Sequence, residues 1–189
     1  MDDDVAVRDE RLADHEAIRE VHRRAFGDDG RVAELADALR AADHGSPGRR
    51  TRSFVATAGG EVAGHVMLSV SRLDAPRRLV DVYVLSPLGV LPRFQRNGIG
   101  TRLIHHAVEA ADADGMPLVF LEGAPEYYGA RGFERADALG FRAPSLRISP
   151  PAFQVARLSG YQPWMTGTLV YSDTFWALDC VGLREEGVS

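Results

Sequence analysis

Apolar and polar positions along the chain change period several times, and each change marks an element. From Val5 to Arg8 they alternate, the period of a short strand. Asp14 then stands where a helix N-cap belongs, and Ile18, Val21, His22 and Phe26 follow at helical spacing until Gly27-Asp28-Asp29-Gly30 stops the helix. A second helix carries Val32, Leu35, Ala36 and Leu39 on one face and ends before Gly45-Ser46-Pro47-Gly48. Arg49, Arg50 and Arg52 after that turn read as a small solvated cluster. A strand-rich block comes next. Ser53 to Ala58 is one strand, Gly59-Gly60 a two-residue hairpin turn, and Glu61 to Ser71 the returning strand. Asp74-Ala75-Pro76 marks another turn, and Arg78 to Leu85 is a third strand rich in β-branched and aromatic residues. The prediction for this block is three consecutive antiparallel strands.

After Val90-Leu91-Pro92 the period changes again. A polar loop from Arg93 to Asn97 leads through Gly98-Ile99-Gly100 into a helix over Thr101 to Asp114, with Leu103, Ile104, Ala107, Val108 and Ala111 at helical spacing. Gly115-Met116-Pro117 ends it. Leu118 to Leu121 is wholly apolar, as in a strand covered on both faces. Pro125 suits the first turn of a short helix through Tyr128; Gly129 and Gly132 close that helix, and Phe133 begins the return. In the last third, Phe153 to Leu158 and Thr168 to Tyr171 read as strands pairing across a turn near Gly160 to Pro163. The pattern predicts a single α/β domain over residues 1–189, with an irregular, strand-containing C-terminal segment from about residue 145.

Composition narrows the class. Hydrophobic residues are 45% and charged residues 26% of the 189, close to the globular average, which argues against disorder and fibrous repeats. The 22 basic against 27 acidic residues give a formal charge of −5, so nothing electrostatic points to a nucleic-acid partner, although a local basic pocket for a small anion is compatible with it. All basic residues are arginine, which excludes Schiff-base lysine chemistry. The one cysteine, Cys180, cannot form an internal disulfide and has no metal-ligand spacing around it, so no metal is expected. Met1-Asp2-Asp3-Asp4 is acidic with no apolar run behind it, which predicts no secretory leader. No apolar stretch is long enough to span a bilayer. The expectation is a cytoplasmic chain with no membrane partner.

The chemistry lies in the strand, glycine loop and helix start from Val82 to Thr101. Such a turn presents several unpaired backbone N–H groups, and the helix dipole adds positive potential. Gly98 and Gly100 let a ligand approach the backbone, and Arg96 adds a fixed charge. Together these make a pyrophosphate cradle. A glycine pair at a helix start is a weak signal alone, since tight turns also need glycine. Two other phosphate signatures are absent: GxxxxGK[ST] requires a lysine, and no GxGxxG follows a first strand.

Gln95-Arg96-Asn97-Gly98-Ile99-Gly100 matches the (Q/R)-x-x-G-x-(G/A) signature of the GNAT superfamily of N-acetyltransferases. Gly89-Val90-Leu91-Pro92 resembles the splayed strand ahead of that signature, and Tyr128-Gly129-Ala130-Arg131-Gly132-Phe133 resembles the family's Tyr-x-x-x-Gly-Phe element. The resemblance runs from Val5 to Phe133 and is greatest to a bacterial branch of N-acetyltransferases assigned only by prediction. It implies an α/β (α+β) fold: a mixed, mostly antiparallel twisted sheet with a splay between the fourth and fifth strands, flanked by helices. It also implies acetyl-CoA as co-substrate. The signature, from Gln95 into the helix at Thr101, would hold the pyrophosphate on the amides of Arg96, Asn97, Gly98, Ile99 and Gly100. Backbone groups of Leu88, Gly89 and Val90 would bind the pantetheine arm like an added strand, with Pro87 and Gly89 helping to keep the splay open. Tyr128 matches the general acid that protonates the departing thiolate in many members.

The implied reaction is direct attack of a primary amine on the thioester, without a covalent enzyme intermediate. The acceptor is a small-molecule or peptide amine, and the negative net charge mildly favours a cationic one. The second reading is a non-catalytic acyl-CoA-binding module of the same fold; transfer of a longer acyl group is a third, and a homodimer is compatible with the resemblance. One departure stands out: the asparagine common near the end of the fifth strand is missing from Leu121 to Glu126. The base is not evident either; Glu122 is the first candidate among the side chains, Asp81 and His65 are others, and a water chain would serve equally. His105-His106 reads as a solvated helix face, and Trp164 and Trp176 as core or rim packing.

Overall fold

The computed structural model describes residues 5–27, 29–42 and 50–182. Asp28, Arg49, the Gly45 to Gly48 turn and the acidic start Met1 to Asp4 lie outside the described residues. The strands are β1 (Ala6–Asp9), β2 (Arg52–Ala58), β3 (Glu61–Asp74), β4 (Leu79–Val90), β5 (Leu118–Glu122), β6 (Glu134–Arg135), β7 (Phe141–Arg142), β8 (Phe153–Arg157) and β9 (Gly167–Val170). The helices are α1 (His15–Phe26), α2 (Arg31–Ala41), α3 (Ile99–Ala113), α4 (Pro125–Gly129) and α5 (Asp173–Ala177).

One sheet runs β1-β2-β3-β4-β5-β8-β6, with β9 joining β3 and β7 joining β9. The pairs from β1 to β4 are antiparallel; for β2, β3 and β4 this is what the alternation and the Gly59-Gly60 turn predict, and both glycines have positive φ, 58° and 81°. β4 and β5 are parallel, so the chain needs a crossover between them, which α3 supplies. Because side chains alternate across the sheet, β4 and β5 feed two cores. Val82, Val84 and Phe120 pack with Leu35, Leu39, Phe153 and Phe175 on one face, while Tyr83, Val119 and Leu121 pack with Leu103, Ile104 and Ala107 of α3 on the other. Leu118 to Leu121 are all fully buried, which explains their unbroken apolar run. Each such Leu or Phe contributes roughly 1.5–3 kcal/mol through burial.

Several boundaries and pairings differ from the sequence reading. β3 and β4 run longer than predicted, to Asp74 and Val90. β8 and β9 do not pair with each other: β8 sits between β5 and β6, and β9 lies on the Arg72–Asp74 end of β3. Their hydrophobicity made both strands legible, but partner choice was set by distant strands. Asp14 does stand at the start of α1, yet its carboxylate caps no α1 amide. It accepts instead from the Arg8 guanidinium (2.7 and 2.9 Å) and the Arg11 N–H (2.7 Å). Ile18, Val21 and His22 face inward as expected, but Phe26 is 49% exposed.

β4 and β5 pair only at Tyr83↔Val119 and Val84↔Phe120. Beyond that point each keeps its outer neighbour and the two separate. The cause lies in β4: Leu85 pairs with Leu68 and Leu88 with Val66, so Ser86 and Pro87 together face Met67. This β-bulge bends the strand, and Pro87 has no N–H to offer a neighbour.

Candidate active site

Past the splay the chain leaves β4 at Val90, turns over Pro92–Phe94 and enters α3 at Ile99. The backbone is left-handed at Arg96 (φ 64°) and Gly98 (φ 76°), a tight reversal that Gly98 adopts without side-chain strain. Arg102 N–H donates to the Gly98 carbonyl (3.0 Å). The amides of Ile99, Gly100 and Thr101 precede it, at the positive end of a 15-residue helix. Gln95 Nε2 donates to the Val90 carbonyl (3.0 Å) and ties the loop to β4.

A cleft of about 550 Å³ opens against this turn. Leu88, Gly89 and Val90 line it from β4, and Gln95, Arg96, Gly98, Gly100 and Thr101 from the loop and helix start. Asn97 and Ile99 do not turn side chains into it, which agrees with a role for their amides alone: Asn97 is exposed, and Ile99 is packed into the core. At these two positions only the backbone is left to serve a ligand.

The facing wall was missed. Ala25 and Phe26 of α1 line it, as do Tyr127 and Arg131 from the α4 region. A Cβ on Gly100 would run into the Tyr127 hydroxyl, so Gly100 makes room for that ring. The Arg131 guanidinium stacks over the Tyr127 ring (3.7 Å), and its Nε donates to Thr101 Oγ1 (2.9 Å). It brings a second cation to the side of the cleft that carries Arg96. The sequence signal for both was the Tyr127-Tyr128 doublet and the arginine inside the Tyr-x-x-x-Gly-Phe element.

A second cavity of about 660 Å³ lies on the other side of Tyr128, and Phe26, Leu88 and Tyr128 line both. The Tyr128 ring packs on Gly123, where a Cβ would overlap it, and makes edge contacts with Tyr127 (5.0 Å) and Phe133 (5.9 Å). Burial, with a smaller effect of Tyr127, pushes its phenol up to about 12, partly offset by Arg131. Tyr128 is therefore protonated at neutral pH.

Glu122, the last residue of β5, lines the second cavity. Its Oε1 accepts from Tyr171 Oη–H (2.8 Å) and its Oε2 from Gly182 N–H (3.2 Å). Burial raises its pKa, against the lowering effects of those two donors and the Arg147 charge. Among the described residues it has no ion-pair partner.

The other candidate bases lie elsewhere. Asp81 pairs with Arg72 (3.0 Å) and borders a separate cavity. His65 is fully buried; its Nδ1 meets His22 Nε2 (2.7 Å), and its Nε2 meets Ser53 Oγ (2.8 Å) and Glu10 (3.3 Å). His106 stacks edge-on against Phe54 (4.6 Å), and Trp176 is 43% exposed at the rim. The half-buried Cys180 borders the second cavity.

Comparison with known proteins places this geometry. Residues 15–141 match the model of the acetyltransferase (GNAT) family. The uncharacterised N-acetyltransferase YjhQ of Escherichia coli (strain K12) is 32% identical over 133 residues, covering 70% of this chain and 71% of that protein. The GNAT family N-acetyltransferase YhbS of Escherichia coli, solved in complex with CoA, superposes with a TM-score of 0.78 at 27% identity, covering 91% of this chain and 92% of that one. A GNAT family acetyltransferase from Brucella melitensis, solved with acetyl-CoA, gives a TM-score of 0.69 at 28% identity, covering 90% and 97%.

Proposed function

The chain belongs to the acetyltransferase (GNAT) family, and from that premise we propose that it is an acetyl-CoA-dependent N-acetyltransferase acting on a primary amine. One observation carries the proposal: a glycine-lined cleft and a second cavity meet at Tyr128, with a carboxylate across the second cavity. The first side suits coenzyme A. The start of α3 and Arg96 would take the pyrophosphate, and the unpaired edge of β4 at Leu88 to Val90 would take the pantetheine arm as an added strand. YhbS and the Brucella protein, which bind CoA and acetyl-CoA, support this assignment.

The second side would hold the amine. Glu122 accepts a proton from it, and the nitrogen lone pair attacks the thioester carbonyl directly. As the C–S bond breaks, the protonated Tyr128 phenol donates to the leaving thiolate. Positioning the two reactants across the Tyr128 junction supplies much of the remaining rate.

The test combines calorimetric titration of acetyl-CoA with thiol-release assays over an amine panel. Gly98→Glu should abolish binding, because it places a carboxylate and a disfavoured φ at the cradle. Tyr128→Phe should keep the affinity and lower kcat by about 100-fold. Unchanged turnover in Tyr128→Phe would remove the phenol from the mechanism. Binding with no turnover on any amine would leave an acyl-CoA-binding module.

A further inference from the structure

The second cavity says more about the acceptor than its position does. Its walls are apolar: Phe26 and Val32 toward the α1–α2 connection, Leu35 on α2, and Phe175 on α5. Its charged lining is uneven. Asp29 and Arg31 are exposed and bring one charge of each sign to the mouth. Asp179 is already held by Arg147 (3.9 Å), which also donates to the Val181 carbonyl (2.8 Å). That leaves Glu122 as the deep carboxylate, satisfied by a phenol and a backbone amide and by no cation among the described residues. A partly buried carboxylate facing an apolar cavity is stabilised by a cation brought into it.

We propose that this cavity takes a small primary amine on an apolar body, an arylalkylamine or alkylamine, with its ammonium group on Glu122 and no carboxylate beside the nitrogen. The proposal rests on the acetyltransferase reading of the joined cavities. An α-amino acid would bring its carboxylate against Glu122, with Arg31 only at the exposed mouth of the cavity. A polyamine would bury a second ammonium among the apolar walls. A volume of about 660 Å³ matches sites that enclose whole small molecules, and is wider than one lysine stem of a peptide requires. The chemistry balances as an acetyl transfer. One ammonium proton passes to Glu122, and the C–N bond forms as the C–S bond breaks. The thiolate takes the Tyr128 proton, and the surplus proton on the new amide nitrogen goes to water and restores the phenol.

The experiment is a thiol-release assay of the full chain with acetyl-CoA and 2-phenylethylamine, phenylalanine, spermidine or a lysine peptide. Calorimetric binding of 2-phenylethylamine to the free protein runs beside it. The expected result is kcat/KM for 2-phenylethylamine about 10-fold or more above the other three. Glu122→Gln keeps one acceptor oxygen, for the Gly182 N–H, and turns an amide N–H toward the Tyr171 oxygen; it should lower that kcat/KM by about 100-fold with acetyl-CoA affinity unchanged. A preference for phenylalanine, spermidine or the peptide overturns the proposal, as does full activity in Glu122→Gln. If acetyl-CoA fails to bind, the acetyltransferase reading falls instead; saturable 2-phenylethylamine binding that is lost in Glu122→Gln then still supports the cavity assignment, and no binding overturns it.

Discussion

At the scale of residues, the buried histidine pair has a direction built into it. Glu10, ion-paired with Arg40, accepts from the Ser53 hydroxyl and the protonated Nε2 of His65, which leaves His65 Nδ1 to accept from His22 Nε2–H. His22 Nδ1 then carries a lone pair, lies beside Gly89 and has no hydrogen-bond partner among the described residues. Burial lowers both histidine pKa values from the usual 6.5, with the charge of the His65 partner adding to the effect at His22. Glu10 is held far below the usual carboxylate range by His65, Arg40 and Ser53, which outweigh its burial. The signs agree. Below about pH 6.5 the unfolded chain binds histidine protons that the folded chain refuses, so stability falls with pH; below about 4.5 Glu10 adds a loss of the same sign. Thermal melts should show Tm constant above pH 7 and dropping steadily from pH 6.5 to 5. A flat profile over that window would contradict the neutral, buried pair. His65 was legible as a sheet residue of ordinary appearance; its three partners come from α1, β2 and the turn after β1, and from no local pattern.

At the scale of elements, glycines decide how close two parts approach. Gly167 has φ 133° and lies where a Cβ would overlap the Asp74 backbone carbonyl of β3. Backbone cannot rotate away, so Gly167→Ala should cost about 3 kcal/mol in denaturant unfolding. Gly123 is the contrasting case, because its Cβ would meet the Tyr128 ring, a side chain that can turn. Gly123→Ala should stay folded, with a Tm near that of the parent, and lose turnover as Tyr128 moves off the junction. A large Tm loss without a kinetic effect would show that the ring matters for packing only. The elements themselves were legible wherever the period was long: α1, α2, α3 and the β2–β3 hairpin all stand where the spacing put them. The two-residue strands β6 and β7 and the five-residue α5 are too short to show a period; after residue 145 only β8 and β9 were legible as strands, and their partners were not.

At the scale of the whole molecule, coenzyme A should act as a brace. The cleft is lined by α1, β4, α3 and the α4 region, so a ligand in it touches all four. A ligand at 100 times its Kd stabilises the folded state by about 2.7 kcal/mol. For a chain of this size that raises Tm by roughly 5–10 °C. The shift should appear with acetyl-CoA and vanish in Gly98→Glu; an equal shift in that variant would move the binding site away from the α3 start.

By itself the sequence determined the elements with a clear period, the order strand, glycine loop and helix, and the turn from Gln95 to Thr101. All of these depend on residues adjacent in the chain, whose φ preferences and hydrophobic spacing act locally. It also marked Tyr128 and Glu122, through a short motif and a position at a strand end. Only the tertiary structure decided that Phe26 is a cleft wall and no core residue, and that Arg131 and Tyr127 close the cradle. It also settled that Asp81 and His65 lie away from the junction, and that Glu122 faces an apolar cavity bounded by α2 and α5. Those facts are set by which distant segments pack together. Packing is chosen by the burial of the whole chain, which no local pattern encodes.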